Sequence, residues 1–501
     1  MKSLTLTALL SAAVLSQARL DVVPAHADLA KRQATASASS SSHAATRTRA
    51  SHSATSASPA APTTALPTAA TGRVPSKPLA SLSSIGTATT AEATQPLPST
   101  FAAGATPPVQ RAPALPNILT LNPADYPELD RIPPVDSPEV QQWLSEIDME
   151  NIPNIPPTGL NGCSNATNAD AVANAGEDGT CWWTCGGCTR ATDITYCPTK
   201  EDWGASFDDG PSPYTPRLLN LLEQQNLKST FFIVGSRAIS RPEMVQTEYM
   251  LGHQLSIHTW AHSSLTTLTN EEIVAELGWT KKVIHDVTGV TPNTMRPPYG
   301  DIDDRVRYIA LQMGLRPIIW TQYGDQQFDT RDWQIGGGVV SATDVYRNFE
   351  TFLTSASSHL TTGFIVLAHD LYQQSVDLAV DYYLPNVINE GKLKIKTIAQ
   401  CLGETPEQSY IETNDNSTTP IQTTATVVGA TGVGFVPNVG LAASTASGGS
   451  SSGSISASSG SPSSSSSSSN QSGGTSAAGR TGVAAGVVGA VVMVAVAAVM
   501  A

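Results

Sequence analysis

Apolar residues in the middle of the chain follow two different spacings, and this pattern begins near residue 203. Short runs that are apolar throughout predict buried strands, whereas apolar residues three and four positions apart predict helices. In residues 216–226, for example, Leu218, Leu219 and Leu222 fall on one face of a helix. Pro216 suits the first turn of that helix, because its missing N–H would have no partner there anyway.

Predicted strands and helices alternate between residues 203 and 399. The strands are predicted at 203–207, 229–235, 254–259, 293–298, 316–324, 363–369 and 393–399. The helices are predicted at 216–226, 242–252, 270–289, 303–314, 342–356 and 377–391. This alternation requires parallel βαβ units and predicts an α/β fold, with an incomplete or distorted (β/α) barrel favoured over a doubly wound sheet. In both folds the active site forms where the strands end.

Composition divides the rest of the 501-residue chain. Residues 19–115 are rich in Ser, Thr, Ala and Pro, and we predict that they are disordered, because they have few large apolar side chains. Residues 403–481 are rich in Ser, Thr and Gly and are predicted to be a linker. A Pro-rich extended segment is predicted at 116–160 and a Cys-rich cap at 161–202, which leaves 203–402 as the main domain.

Both ends of the chain predict entry into the secretory pathway. Residues 1–18 have one Lys, a short apolar run and small residues that suit cleavage of a signal peptide. The apolar tail 482–501 follows a polar spacer, as in a GPI-anchor signal, with a C-terminal membrane helix as the alternative. The predicted location is therefore the outer face of the plasma membrane and the cell wall. Candidate GPI acceptors are Asn470, Ser472 and Gly473, and Lys31-Arg32 is a candidate processing site.

An even number of cysteines in a secreted chain predicts disulfide bonds. The six candidates allow 15 pairings and are Cys163, Cys181, Cys185, Cys188, Cys197 and Cys401. Because Cys401 is far from the other five, at least one bond is expected to join the end of the fold to its start. A zinc knuckle in residues 181–188 is the rival interpretation. Asn-x-Ser/Thr sequons predict N-glycosylation at Asn165, Asn416 and Asn470.

The formal net charge of −14 makes the chain a poor candidate for binding nucleic acid, since phosphate backbones are held by Lys and Arg. We expect a monomer.

Titratable residues recur at five predicted strand ends, which parallel topology brings to one face of the fold. Asp208 and Asp209 follow the first strand, and His258 and His262 follow the third. The residues after the later strands are Arg296, Tyr299, Asp329, Asp332, Trp333 and His369.

His258 and His262 are four residues apart, a spacing that would place both imidazoles on one side of a helical turn. With one carboxylate they form a three-residue metal site that leaves room for water and substrate. Two His and one carboxylate also describe the sites of non-haem iron oxygenases, which is the rival chemistry. Metal-assisted hydrolysis is favoured because it also needs a base and an acid, and so uses the second Asp and His369.

The ordered motifs SFDDG, HTWAH, RPPYG, DTRDW and LAH resemble those of the polysaccharide deacetylases, carbohydrate esterase family 4, which share the NodB-homology domain. The resemblance covers about residues 203–400. The secreted, Ser-rich and GPI-anchored frame is similar to that of fungal chitin deacetylases.

The resemblance implies a role for each matching residue. Asp209, His258 and His262 would bind one divalent ion, zinc in the first place, with cobalt or manganese as alternatives. Asp208 would be the general base and would also contact substrate, Arg296 would orient it, and the backbone N–H of Tyr299 would help to hold the oxyanion. His369 would be the general acid, with Asp329 favoured over Asp332 as its partner. Trp333 and Leu367 would wall the acetyl pocket.

The resulting hypothesis is an enzyme that removes N-acetyl groups from chitin in the cell wall, giving chitosan and acetate. The alternatives are acetylxylan or peptidoglycan as the substrate, or a wall protein that only binds carbohydrate.

Several of these residues could instead have simpler structural roles. Arg296 could be only an ion pair, Trp333 only core, and Trp182 and Trp183 either sugar platforms or, as favoured, packing of the cap. His253, His285 and His359 belong to no motif and are predicted to be structural or exposed.

Overall fold

The computed structural model describes residues 74–89 and 95–414 of the chain. In this part, strands β1 to β10 are Asp202–Gly204, Ser206–Asp208, Thr230–Ile233, Gln254–Ile257, Thr294–Met295, Arg316–Pro317, Gln322–Tyr323, Gln326–Gln327, Phe364–Ile365 and Lys394–Lys396. Helices α1 to α12 are Pro138–Ser145, Ala169–Ala173, Trp183–Gly186, Thr215–Gln224, Gly235–Ser240, Pro242–Met250, Asn270–Thr288, Asp304–Gln312, Ala342–Ser358, Gln373–Leu378, Leu384–Glu390 and Ile398–Cys401. A π-helical turn, Ala379–Tyr383, joins α10 to α11. Short 3-10 turns are Leu79–Ser84, Ile118–Thr120, Pro123–Asp125, Met149–Asn151, Gly162–Ser164, Ala166–Asn168, Leu265–Thr267, Pro298–Gly300, Asp332–Gln334 and Pro406–Ser409.

Parallel strands form the centre of the fold. Strands β2, β3, β4, β5 and β6 lie side by side in that order, and β1 pairs in parallel with β10 and with β9. Asp208 at the end of β2 makes a parallel bridge with His369, which follows β9. On the other side, the N–H of Thr321 donates to the carbonyl of Ile365 at 3.0 Å. The predicted α/β class and the parallel sheet are therefore confirmed.

The residues predicted as one strand at 316–324 do not form one regular strand. Pairing with β5 ends at Pro317, Ile318 makes a parallel bridge with Ile194, and the chain then forms the antiparallel hairpin β7–β8. Gly324 has a positive φ of 57°, which a tight turn between the two short strands requires and glycine adopts at little cost. The exposed polar residues of this hairpin have no apolar face to bury, so they do not continue the sheet.

Apolar side chains from the strands and the surrounding helices form one core. All four residues of β3 are buried, as expected for a strand covered on both faces. The predicted helix face of Leu218, Leu219 and Leu222 is confirmed, because all three side chains are fully buried. Full burial of a leucine contributes about 1.5–3 kcal/mol, so this face fixes α4 firmly against the sheet.

The cap of the longest helix, α7, lies one residue before the predicted Asn270. Thr269 Oγ accepts from the N–H of Glu272 at 3.2 Å, and the Glu272 carboxylate accepts from the N–H of Thr269 at 2.8 Å. This reciprocal pair satisfies two N–H groups at the helix start, which a single Asn could not do. Gly289 ends the helix as predicted, with a φ of 80°.

The prediction of disorder for 19–115 is wrong for the described residues 74–89 and 95–115. They form a strap in which Val74, Leu82, Val109 and Leu115 are buried in the main core. Val74 also exchanges two backbone hydrogen bonds with the side chain of Asn389. A few well-spaced apolar residues are enough here, because the domain supplies the surface on which they pack.

The segment 116–160 is also more ordered than the predicted extended chain. It contains α1, which Ser137 caps by accepting from the N–H of Val140. Trp143 on this helix packs edge-on against Trp279, with 5.6 Å between ring centroids. A Cβ at Gly278 would lie 2.2 Å from the Trp143 ring, so α7 has glycine where the tryptophan lies against it.

All six cysteines form disulfide bonds, which confirms the predicted framework. The pairs are Cys163–Cys185, Cys181–Cys188 and Cys197–Cys401. The third joins the end of the fold to its start, as predicted, whereas a zinc knuckle in 181–188 is excluded because its thiols are consumed. The Cys-rich cap, residues 161–202, is also held by the buried Arg307, which pairs with Asp193 at 2.9 Å.

The folded region continues beyond the predicted boundary at residue 402. Tyr410 is 1% exposed, and its hydroxyl accepts from the N–H of Leu255 in β4. No helix within 74–89 and 95–414 combines the length and apolar character needed to cross a membrane. Several sequence predictions lie outside the described residues. They are the signal peptide 1–18, the Lys31-Arg32 site, the linker beyond 414, the tail 482–501, and the sites Asn416, Asn470, Ser472 and Gly473.

Candidate active site

The two neighbouring aspartates do face one pocket, although adjacent residues on a strand normally point to opposite faces. Asp208 is the last residue of β2, and its N–H donates to the carbonyl of Ala368 at 2.9 Å. Asp209 leaves the strand geometry with a positive φ of 76°. This left-handed residue turns the second carboxylate toward the side of the first, and both side chains are buried. A strained non-glycine backbone of this kind is typical of functional sites.

The loop that holds the two histidines is not the helical turn that their spacing predicted. His258 follows β4, and the chain then turns sharply, with φ of 63° at Thr259 and 57° at His262. The Glu276 carboxylate on α7 accepts from the N–H groups of Trp260 and Ala261 at 2.7 and 2.8 Å. A buried acceptor therefore supplies the partner that a helix would otherwise provide, and a tight loop replaces the helical turn.

Glu276 was missed by the sequence interpretation. It is fully buried, and burial raises its pKa to about 7, although its hydrogen bonds with the loop oppose that rise. A sequence signal does exist, since an acidic residue at 276 stands on the apolar face of α7 near Ile273 and Trp279. A charged residue on a buried face usually has a specific partner.

Asp209, His258 and His262 come together as the predicted candidate metal site. The Nε2 atoms of His258 and His262 lie 3.2 and 3.0 Å from Asp209 Oδ1. The three ligand atoms all lie within 4.8 Å of one another. Ligands about 2.1 Å from a tetrahedral zinc ion stand about 3.4 Å apart, which is close to these separations.

The hydrogen bonding around His258 also fits a cation. Its Nδ1 lies 2.8 Å from the backbone carbonyl of Arg296, which can only accept, so Nδ1 carries the proton. With the proton on Nδ1, the lone pair of Nε2 is the one available to a metal, and it faces the Asp209 carboxylate. Two acceptors facing each other repel, and a divalent cation between them removes the conflict. Burial also lowers the pKa of His262, despite the opposing charge of Asp209, which favours the neutral form that binds metals.

Arg296 lies beside Asp208, as predicted. Its Nη1 donates to Asp208 Oδ1 at 2.6 Å and to Ser206 Oγ at 3.0 Å, and the guanidinium is fully buried. The guanidinium also stacks over the Phe232 ring, 3.9 Å from its centroid. The other oxygen of Asp208 lies 3.8 Å from His258 Nε2, on the side of the candidate metal site. Arg296 thus orients one oxygen and leaves the other directed into the pocket.

The carboxylate beside His369 is Asp332, so the preference for Asp329 was wrong. Asp332 Oδ1 accepts from His369 Nδ1 at 2.6 Å, and Oδ2 accepts from the His369 N–H at 3.0 Å. The carboxylate of Asp329 instead accepts from the N–H of Arg331. Arg331 has a φ of 63°, and the turn at this residue brings Asp332 beside His369, the position that the resemblance had assigned to Asp329. Burial opposes a charge on His369, but the combined attraction of Asp332, Asp209 and Asp208 outweighs it and raises the His369 pKa to about 10.

The predicted pocket walls differ in their exposure. Leu367 is buried, whereas the side chains of Trp333 and Tyr299 are 43% and 59% exposed, so a purely core role for Trp333 is excluded. Tyr299 has a φ of 61°, and its ring lies against His262 with 4.7 Å between centroids. Trp182 and Trp183 are buried, which confirms that they pack the cap.

The other three histidines within the described residues lie outside this cluster, as predicted. His253 is buried and accepts from the N–H of Ser229, while His359 is exposed and stacks on Tyr323. His285 lies near Asp286 at the end of α7.

Comparison with known proteins identifies relatives of this chain. The family model for polysaccharide deacetylases matches residues 195–318. Chitin deacetylase 1 of Cryptococcus neoformans var. grubii is 55% identical over 367 residues, which is 72% of this chain and 75% of that protein. A chitin deacetylase of Amylomyces rouxii is 33% identical and covers 57% of this chain and 68% of its own length.

Among solved structures, the chitin deacetylase of Colletotrichum lindemuthianum is 25% identical and aligns with a TM-score of 0.40, covering 46% of this chain and 99% of that chain.

Proposed function

The chain belongs to the chitin deacetylases of the polysaccharide deacetylase family, and we propose that it hydrolyses the N-acetyl groups of chitin to give chitosan and acetate. The observation that supports this most is the meeting of two carboxylates, two candidate metal-binding histidines and a third histidine in one buried pocket. Hydrolysis of an amide requires a base, an acid and stabilisation of an oxyanion, and this set provides a group for each.

Asp209, His258 and His262 are the proposed ligands of one divalent ion, with zinc first and cobalt or manganese as alternatives. When bound, such an ion supplies Lewis acidity toward the acetamide carbonyl and toward water. The ligand set of two imidazoles and one carboxylate leaves coordination positions open for both.

The chain's own residues then perform the proton transfers. Asp208 accepts a proton from the attacking water, while Arg296 holds the carboxylate in place. The new C–O bond leaves negative charge on the former carbonyl oxygen, toward which the Tyr299 N–H donates. His369, positioned by Asp332, gives a proton to the amine as the C–N bond breaks. Acetate and a free amine on the sugar result, and the next cycle requires Asp208 to lose its proton and His369 to regain one.

Trp333 and Leu367 are the proposed walls of the acetyl pocket. Leu367 is buried two residues before His369, and the exposed Trp333 directly follows Asp332, so both lie in the segments that carry the proposed acid and its partner. An apolar wall favours the acetyl methyl group and holds the carbonyl toward the polar side of the site.

The wider architecture and the location of the chain follow the same proposal. We assign the two parallel sheets to an incomplete (β/α) barrel, with the Cys-rich cap beside it. We propose a monomeric enzyme of the cell wall that acts on wall glycans. The three disulfide bonds agree with its secretion. A GPI anchor would hold it at the plasma membrane. Asn165 in the cap is a candidate glycosylation site, because its side chain is partly exposed between two 3-10 turns.

A substrate panel tests the proposed function. Initial rates of acetate release should be compared on N-acetylglucosamine oligomers, acetylxylan and peptidoglycan, with the secreted full chain and metal supplied. The proposal predicts the highest kcat/KM on N-acetylglucosamine oligomers. Faster release from acetylxylan or peptidoglycan would reassign the substrate, and binding without release from any of them would indicate a carbohydrate-binding protein.

The contact between Asp332 and His369 should control how the activity depends on pH. Asp332→Asn removes the charge that raises the pKa of His369, so that pKa should fall. Because the general acid must be protonated, activity is lost as pH rises through its pKa, and the alkaline limb of kcat should move to lower pH. We expect kcat near neutral pH to fall by about tenfold to a hundredfold. The matched control is Asp329→Asn, which should leave the alkaline limb in place. A larger shift in that control would restore Asp329 as the partner.

A further inference from the structure

Asp301 lies immediately after the RPPYG loop, residues 296–300, and both of its oxygens are occupied by other segments. Oδ1 accepts from Trp182 Nε1 at 2.8 Å and from Thr184 Oγ1 at 2.7 Å, both in the Cys-rich cap. Oδ2 accepts from the N–H of Thr266 at 3.0 Å and from its hydroxyl at 2.7 Å. The carboxylate is only 4% exposed, so one buried group joins three segments by four hydrogen bonds.

Two of these three segments adjoin catalytic candidates in the sequence, and the third is the Cys-rich cap. Thr266 follows His262 by four residues, in the turn that leads from the histidine loop to α7. Tyr299, whose N–H is the proposed oxyanion donor, precedes Asp301 by two residues. The cap residues Trp182 and Thr184 lie between Cys181 and Cys185, which form disulfide bonds with Cys188 and Cys163. The cap therefore contacts, through the Asp301 carboxylate, the segment that follows Tyr299.

Tyr299 needs such support because its backbone is in an unfavourable conformation. Its φ of 61° is left-handed, and Gly300 follows with a φ of 69°. A left-handed conformation is unfavourable for a non-glycine residue, so it persists only where the surroundings enforce it. A Cβ on Gly300 would lie 2.3 Å from the Trp183 ring, and the N–H of Trp183 donates to the carbonyl of Ile302 at 3.0 Å. The cap thus packs closely against the loop that carries Tyr299.

We infer that Asp301 is a positioning residue for the deacetylation, through which the Cys-rich cap holds the Tyr299 N–H toward the developing oxyanion. The inference rests on the proposed function, since it presumes the oxyanion role of Tyr299. It makes the cap part of the catalytic apparatus. Asp301 touches neither the candidate metal ligands nor the proton-transfer groups, so its effect should appear in kcat and not in metal affinity.

Conservative variants test the inference without removing a buried carboxylate. Trp182→Phe keeps the aromatic ring but removes the Nε1–H, and Thr184→Val keeps the shape but removes the hydroxyl. Each should lower kcat by about tenfold, because a small displacement of an oxyanion donor has a large kinetic effect, with KM and zinc affinity unchanged. Asp301→Asn, which cannot accept all four hydrogen bonds, should lower kcat further.

Asp303→Asn is the matched control. Asp303 is a buried carboxylate two residues further on, but it accepts from the N–H of Val306 and caps α8. This variant should lose thermal stability and keep kcat. Hydrogen exchange gives a second readout, and peptides covering 296–301 should exchange faster in Trp182→Phe than in the wild type.

The outcomes separate the two claims. Wild-type kcat in both Trp182→Phe and Thr184→Val would overturn the positioning role while leaving the deacetylase intact. A fall in zinc affinity equal to the fall in kcat would also overturn it, because the defect would then lie in the metal site. A wild-type protein that binds zinc but releases no acetate from any substrate would instead remove the proposed function itself.

Discussion

Asp208→Asn should reduce turnover by a factor of about 10³ or more while the protein keeps its metal. Asparagine retains the shape of the side chain and can still accept from Arg296, but it cannot take a proton from water. Arg296 contacts Oδ1 at 2.6 Å, so the fold around the site should tolerate the change. The other oxygen of Asp208 lies 3.8 Å from His258 Nε2, farther than the Asp209 oxygen at 3.2 Å, so the candidate ligand set should remain in place. Measurement of kcat together with bound zinc by mass spectrometry checks both halves of the prediction.

Asp202→Asn is the matched control for this variant. Asp202 is a buried carboxylate in β1, paired with Lys396 at 2.6 Å and outside the pocket. Its loss should lower stability and leave kcat per folded molecule unchanged. If Asp208→Asn instead lost its zinc, the base and ligand roles assigned to the two aspartates would be mistaken.

Asp209→Asn should have the opposite signature, with loss of metal as the primary defect. Its Oδ1 lies near the Nε2 atoms of both histidines, and a neutral amide oxygen is a weaker ligand for zinc than a carboxylate. We expect zinc affinity to fall by at least about a hundredfold, measured by competition with a chelator of known affinity. Added zinc should restore part of the activity, which it cannot do for Asp208→Asn.

The two variants together form a crossed experiment. Asp208→Asn is expected to be zinc-loaded and inactive, and Asp209→Asn is expected to be zinc-poor and partly rescued. Equal zinc loss in both would mean that the carboxylates act as one ligand pair, and rescue of Asp208→Asn by zinc would reverse the assignment.

The sequence predicted the members of the site better than their local geometry. Strand ends in a parallel fold meet at one edge, so the order of the motifs was enough to bring Asp208, His258 and His369 together. The left-handed conformation of Asp209 could not be predicted from strand alternation. It is nevertheless what allows two adjacent carboxylates to face the same pocket.

The errors arose where distant contacts decide local structure. The histidine loop is not helical because Glu276, on another element, accepts from its N–H groups. Asp332 replaces Asp329 because a left-handed Arg331 redirects the chain. The strap at 74–89 and 95–115 has a composition typical of disorder, but the domain surface buries its few apolar residues. Local propensity contains none of these contacts.

The central claim is a metal-dependent deacetylase, and acetate release from N-acetylglucosamine oligomers tests it most directly. The secreted full chain should be assayed as purified, after removal of metal by a chelator, and after return of zinc, with bound metal measured each time. The account predicts release in the first sample, loss of release in the second and recovery in the third. Undiminished release from protein shown to contain no metal would contradict it, as would the absence of release from fully zinc-loaded protein.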